Sequence, residues 1–254
     1  MHTRSAIILA AGFGSRLQLR ATHKLLTVVG GRTLLDHHVR NLERLDVHRV
    51  VVVTGHEAKV LTEKVCNYDW RSTNNIKSKF NPDFQKGNGL SVLAGVEGLE
   101  GDEPFWLTMS DHLFDPALYD RLADRFFDER PSHWEGALMV DTKLDSIFDM
   151  PDATKVRRDP DDFAIGKELE RFDAVDAGLF WCGPGFVEAL RKERKARGDC
   201  STSDAVRRLY LDGRFGFWDI GELLWQDIDT IEALAHAEYL LAEKFRGSLQ
   251  CMRG

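Results

Sequence analysis

No stretch of this chain stays apolar for the ~20 residues that a membrane span requires, and "SAIILAAG" near its start is too short for a signal-peptide core. The expectation is a cytoplasmic protein without membrane insertion. The chain of 254 residues carries a formal net charge of −7, so the basic excess of a polynucleotide binder is missing. Four cysteines (Cys66, Cys182, Cys200 and Cys251) are scattered with no CxxC pair, which disfavours a zinc cluster or a disulfide framework. No internal repeat or low-complexity linker divides the chain. No His–Asp or Ser–His constellation for nucleophilic catalysis stands out. With nine histidines and 30% charged residues, a hyperthermophile bias is also absent.

What is present is alternation. "SAIILA" (Ser5–Ala10), "RVVVVTG" and "PFWLTM" read as buried strands, while "TLLDHHVRNLERL", "EAKVLTEKV" and "ALYDRLADRFF" read as helices, the first capped by Thr33. Alternating strands and helices argue for a parallel sheet covered on both faces. In the second half, "GALMVD", "TKVRR", "FAIGKEL" and "DAGLFWC" are short strands without long helices between them, so antiparallel additions are expected. Helices return at "GFVEALRKERKAR", "SDAVRRLYLDG" and "DTIEALAHAEYLLAEKF". The reading is one domain over 1–254, with a doubly wound half to about residue 130 and an acceptor half from about residue 131.

"ILAAGFGSRLQLRATHKLL" runs from the first strand into a loop with two glycines and little to pack. In open parallel sheets, ligands bind beyond the C-terminal ends of the strands. Gly12 and Gly14 permit a tight turn whose exposed N–H groups suit an anion, and Arg16 and Lys24 add charge. The Rossmann GxGxxG is excluded because Leu17 replaces its third glycine, and the P-loop GxxxxGK[ST] is absent. The alternative reading of the loop is a glycine-rich turn with solvated basic residues.

Asp111 follows the strand "FWLTM", and Asp227 and Asp229 follow the apolar "LLWQ". Carboxylates at strand ends are what Mg²⁺ uses, with water and phosphate oxygens completing its shell. Asp229 is also placed to cap the last helix, and the two roles are compatible. His112 is a candidate general base or a structural hydrogen-bonding group.

Together, "LAAGFGSRL…K", "QKGNGLSVLAG", "LTMSDH", "DATKV", "IGKELERFDAVDAGLF" and "LWQDIDT" resemble the nucleotidyltransferases that make activated alcohols and sugars, above all the CTP:inositol-1-phosphate cytidylyltransferases. The likeness runs from about Ala6 to the last helix. It implies a Rossmann-like, three-layer α/β/α fold with a mixed, mostly parallel sheet. It implies that Ala10, Ala11, Gly12, Phe13, Gly14 and Arg16 cradle the CTP triphosphate and that Lys24 contacts the α-phosphate. Arg16, Lys24 and Asp111 are then catalytic. Gln85, Asn88 and Gly89 face the cytosine, and Asp111 and Asp227 hold Mg²⁺ with Asp229 close by. Lys167 grips the acceptor's phosphate, while Asp176 and Gly178 line the acceptor pocket. Read from the residues, Gly166 lets the backbone bend so that Lys167 points across the cleft.

The implied reaction transfers CMP to inositol 1-phosphate. Alternative acceptors are 2-aminoethyl- or 2-hydroxyethylphosphonate, phosphocholine or a sugar 1-phosphate. A homodimer is also an expectation. A degenerate nucleotide-binding regulatory module is the non-enzymatic alternative; joint retention of Arg16, Lys24, Asp111, Asp227 and Lys167 argues against it. The chain departs from the family at His23, where proline usually precedes the catalytic lysine, so the Lys24 match rests on spacing. Some inositol members carry a membrane-bound transferase domain on the same chain. Nothing like it follows here, so the product is expected to pass to a separate enzyme.

Overall fold

The protein is described by a computed structural model that covers residues 3–12, 23–70, 75–99, 101 and 103–245. Strand β1 (Ser5–Ala10) is buried at every position. A small hairpin, β2 (Val28–Val29) with β3 (Arg32–Thr33), leads into helix α1 (Leu34–Arg44). Thr33 caps this helix as expected. Its Oγ1 accepts from the Asp36 N–H, and the Asp36 carboxylate accepts from the Thr33 N–H, a reciprocal capping box. There follow β4 (Arg49–Thr54), α2 (Ala58–Cys66), β5 (Asn75–Phe80), α3 (Asn88–Leu99), β6 (Phe105–Met109), β7 (His112–Phe114) and α4 (Pro116–Glu129).

Strands β5, β4, β1 and β6 lie side by side in that order, all parallel. The chain moves outward from β1 through β4 to β5, then returns across β1 to β6. Connections therefore diverge between β1 and β6, leaving a crevice beyond their C-terminal ends.

The second half comprises β8 (Gly136–Asp141), β9 (Lys155–Arg157), β10 (Ala164–Gly166), β11 (Ala174–Cys182), α5 (Pro184–Arg197), α6 (Thr202–Leu211), β12 (Phe215–Asp219), β13 (Trp225–Asp227) and α7 (Ile231–Tyr239). The expected antiparallel additions are present: β11 pairs antiparallel with β6 and extends the same sheet to nine strands. β8 is antiparallel to β11, and β12 is parallel to β8. The ends of β1, β6, β8 and β12 and the start of β11 therefore share one edge. "FAIGKEL" forms a strand only over Ala164–Gly166.

Strand alternation splits the core into two layers. Ala6, Ile8 and Ala10 pack toward Leu35 and Val39 of α1 and Leu118 and Phe126 of α4. Ile7 and Leu9 face Leu93 and Val96 of α3 and Leu190 of α5. Helix α3 is buried at ten of its twelve residues, so it has no polar face and no amphipathic period to reveal it. A Cβ at Gly95 would stand 2.7 Å from Ile7, and one at Gly98 2.8 Å from Val51, so these glycines let α3 lie directly on the sheet. Among the described residues, no helix is long and apolar enough to cross a membrane.

Candidate active site

Lys24 opens a single 3₁₀ turn, Lys24–Leu26, whose N-cap is His23. The His23 Nδ1 accepts from the Leu25 N–H at 3.2 Å, which leaves Nε2 to donate to the Ala10 carbonyl at 2.9 Å. This assigns the neutral tautomer. Burial lowers the imidazole's pKa and outweighs the Ala10 hydrogen bond, which raises it. His23 thus ties the lysine's turn to the end of the central strand.

The Lys24 ammonium lies 3.1 Å from Asp111 Oδ2 and is ion-paired with Asp229. Asp111 follows β6, beside β1. Asp227 reaches the same place because β13 pairs antiparallel with β7, setting Asp227 opposite His112. The Ile228 N–H donating to the Asp111 carbonyl at 2.9 Å extends that pairing. Carboxylate oxygens of Asp152, Asp227 and Asp229 lie within 4.8 Å of one another, as do ligand atoms of Asp111, His112 and Asp227. Asp229 is not the cap of α7; Thr230 is, its Oγ1 accepting from the Ala233 N–H. That leaves the Asp229 carboxylate to face Lys24.

His112 is held on three sides. Its Nδ1 meets Asp111 Oδ1 at 2.8 Å, and its ring stacks on Trp225 at 5.3 Å. Gly178 has φ +78°, and a Cβ there would come within 2.6 Å of the imidazole. The Gly178 N–H donates to Asp176 Oδ1 at 2.7 Å.

The charges follow from these contacts. Burial alone would raise the Asp111 carboxyl, but the His112 hydrogen bond and the nearby His112 and Lys24 charges hold it well below the usual range. Burial, joined by the Asp111 and Asp152 charges, pushes the Asp227 carboxyl up. Burial takes Asp176 to about 6 against its Gly178 hydrogen bond. Among the described residues, Asp227 Oδ1 is buried without a hydrogen-bond partner. A crowded, all-oxygen group of carboxylates with an unsatisfied buried oxygen fits a hard divalent cation.

A cavity of about 240 Å³ opens between β1, β6 and the start of α3. Ala10, Ala11, Gly12, Lys24, Asn88 and Asp111 line it. Phe13, Gly14 and Arg16 lie outside the described residues. Gln85 is exposed and does not line the cavity. The Asn88 side chain tethers α3 to α6: its Oδ1 accepts from the Thr202 N–H at 2.8 Å, and its Nδ2 donates to Thr202 Oγ1. Gly89 is buried against Cys200, its N–H donating to the Cys200 carbonyl at 3.0 Å.

Lys167 Nζ donates to Asp152 Oδ1 at 2.7 Å, which links it to the acidic cluster. Gly166 does not take a positive φ, and Lys167 is exposed. Buried Lys155 donates to the Lys167 carbonyl at 2.6 Å. Sequence reasoning gave no role to Asp152, although it stands in the quoted "DATKV". It also passed over Phe84, Lys86 and Ser91 of the cavity wall.

The MobA-like NTP transferase domain matches residues 6–141, more than half of the chain. This chain belongs to that family. Among its relatives is the bifunctional IPC transferase and DIPP synthase of Rubrobacter xylanophilus, 32% identical over 93% of this chain and 51% of that protein. The chain spans about half the length of the curated relatives it matches over nearly all of its own. A CMP-5'-(3-aminopropyl)phosphonate synthase of Streptomyces rubellomurinus is 36% identical over 46% of the chain and 19% of that protein. Among solved structures, the inositol-1-phosphate CTP transferase of T. maritima superposes with a TM-score of 0.79 at 26% identity, covering 97% of both chains. The fold of that structure is thus shared along nearly the whole chain.

Proposed function

We propose that this MobA-like protein transfers CMP from CTP to a phosphorylated small alcohol, foremost inositol 1-phosphate, with release of pyrophosphate. The observation that carries the reading is the convergence of Lys24, Asp111, Asp227 and Asp229 between the cavity beside Gly12 and the Lys167–Asp152 pair. One flank suits a triphosphate and the other a second phosphate. The acceptor is inferred from the inositol-handling relatives, whose similarity spans both halves of the chain.

An acceptor phosphate oxygen attacks the α-phosphorus of CTP. The bond from that phosphorus to the bridging oxygen breaks, and pyrophosphate leaves with the electron pair. A phosphate monoester has its second pKa near ~6, so the nucleophile is already ionised and needs no general base. What remains is positioning and charge neutralisation. Lys24 is placed to screen the α-phosphate, Lys167 to hold the acceptor's phosphate, and the Ala11 and Gly12 backbone to meet the triphosphate. Asp111, Asp227 and Asp229 would hold Mg²⁺, which when bound would supply positive charge to the reacting phosphates.

Similarity to the aminopropylphosphonate synthase favours a second reading, the same transfer to a phosphonate. One experiment tests both. Pyrophosphate release is followed with CTP, UTP, ATP or GTP against inositol 1-phosphate, 2-aminoethylphosphonate, phosphocholine and glucose 1-phosphate, with and without Mg²⁺. CTP with inositol 1-phosphate and Mg²⁺ is expected to be fastest. Equal rates with ATP would overturn the assignment of the base, and silence with every acceptor would overturn the transfer itself.

A further inference from the structure

A cavity of about 340 Å³, with mixed polar and apolar lining, lies outside the reaction cleft and shares no lining residue with it. It is enclosed by the β2–β3 hairpin, one face of α1, the start of α4 and Leu241. Arg32 comes from the hairpin. His37, Arg40 and Asn41 come from α1, where their spacing puts them on one face.

Three observations mark it as a place for an anion. Arg32 and Arg40 are exposed at the cavity rim and form no salt bridge there with any described residue, although against the pull of burial the Arg40 charge helps hold the Asp36 carboxyl below its usual range. The nearby carboxylate of Asp36 is already engaged by Thr33 and by the Tyr68 hydroxyl at 2.9 Å. Asn41 is only 4% exposed and lines the cavity, where its amide is placed to meet a ligand oxygen. His37 Nε2 donates to the Val29 carbonyl at 3.0 Å, which leaves Nδ1 as an acceptor for a hydroxyl. Phe114, Pro116 and Leu241 form apolar wall, which a bare inorganic anion would leave unused. The volume is that of a small-molecule site.

We propose that this cavity is a second binding site, separate from the reaction cleft, for a small phosphorylated organic molecule. Its phosphate pairs with the Arg32 and Arg40 guanidinium forks. Its organic part contacts Phe114 and Leu241, and Asn41 hydrogen-bonds between them.

The test is calorimetric titration of the full chain with phenyl phosphate, with inorganic phosphate in parallel. Wild type should show two classes of site. Arg32→Ala/Arg40→Ala should weaken one class by about tenfold to a hundredfold per arginine lost while leaving kcat unchanged. Lys24→Ala should keep that class and lose the other. Asn41→Leu, close in size, should weaken the same class as the arginine pair. Wild-type binding in the double arginine variant would overturn the proposal. So would loss of all binding in Lys24→Ala, or the absence of a second class up to about 10 mM ligand. Equal affinity for inorganic and phenyl phosphate would remove the organic part from the assignment.

Discussion

Replacing His23 with alanine tests whether the cleft depends on the tether between Lys24 and β1. The imidazole is 8% exposed and makes two hydrogen bonds, to the Ala10 carbonyl at 2.9 Å and the Leu25 N–H at 3.2 Å. Alanine leaves both backbone groups unpaired in a buried place, at about 1–3 kcal/mol each. Some of this is recovered by water, so a loss of about 2–4 kcal/mol is expected. At roughly 2–4 °C per kcal/mol for a chain of this size, the melting temperature should drop by about 5–15 °C. Turnover should fall by about a hundredfold, because misplacement of a reacting group by ~1 Å costs that much. Asparagine should restore the N-cap to Leu25, worth about 1 kcal/mol, but is too short to reach Ala10. Proline should do no better than alanine, since His23 sits at φ −162° and a proline ring holds about −65°. Differential scanning calorimetry and pyrophosphate release from CTP read the two effects. An alanine variant with wild-type melting temperature and kcat would refute the reasoning.

Gly178→Ala should destabilise the fold by about 1–3 kcal/mol and slow turnover, because the new methyl meets the His112 ring at a positive φ; urea midpoints beside kcat measure both. Lys167→Ala should lower kcat/KM for the acceptor about tenfold to a hundredfold while CTP affinity by calorimetry stays constant. An equal loss of CTP affinity would move Lys167 to the nucleotide side. His38 is fully buried, which takes its pKa from 6.5 to about 4. The unfolded chain therefore binds a proton that the folded one refuses, so this stability is complete above pH 6.5 and lost as pH falls toward 4. The loss is about 2 kcal/mol at pH 5, and it should shrink in His38→Asn when urea midpoints at pH 7 and pH 5 are compared.

The parts of the fold legible in the sequence were those with local causes. β1, β4 and β6 announce themselves as short β-rich apolar runs, and α1 by its period and the Thr33 cap. β5, "NIKSKF", was illegible because it is an edge strand with no fully buried residue, so no apolar pattern marks it. Helix α3 was illegible for the opposite reason, burial on every side with its glycines set against the sheet. Gly178 could be quoted as part of a motif, yet its physical reason, the His112 ring above it, belongs to another strand.

The amino-acid order by itself determined which residues carry chemistry. A lysine follows a glycine loop, and aspartates stand just past apolar strands, because strand ends and turns are encoded within a few residues. Which of those groups meet was decided only by the tertiary structure. Lys24, Asp111 and Asp227 come together because β1 and β6 are neighbours in the sheet and β13 pairs with β7. Asp152 joins them, and Thr230 rather than Asp229 caps α7, freeing a carboxylate for Lys24. Pairing between distant strands is set by the packing of the whole sheet, and no short stretch of sequence contains that information.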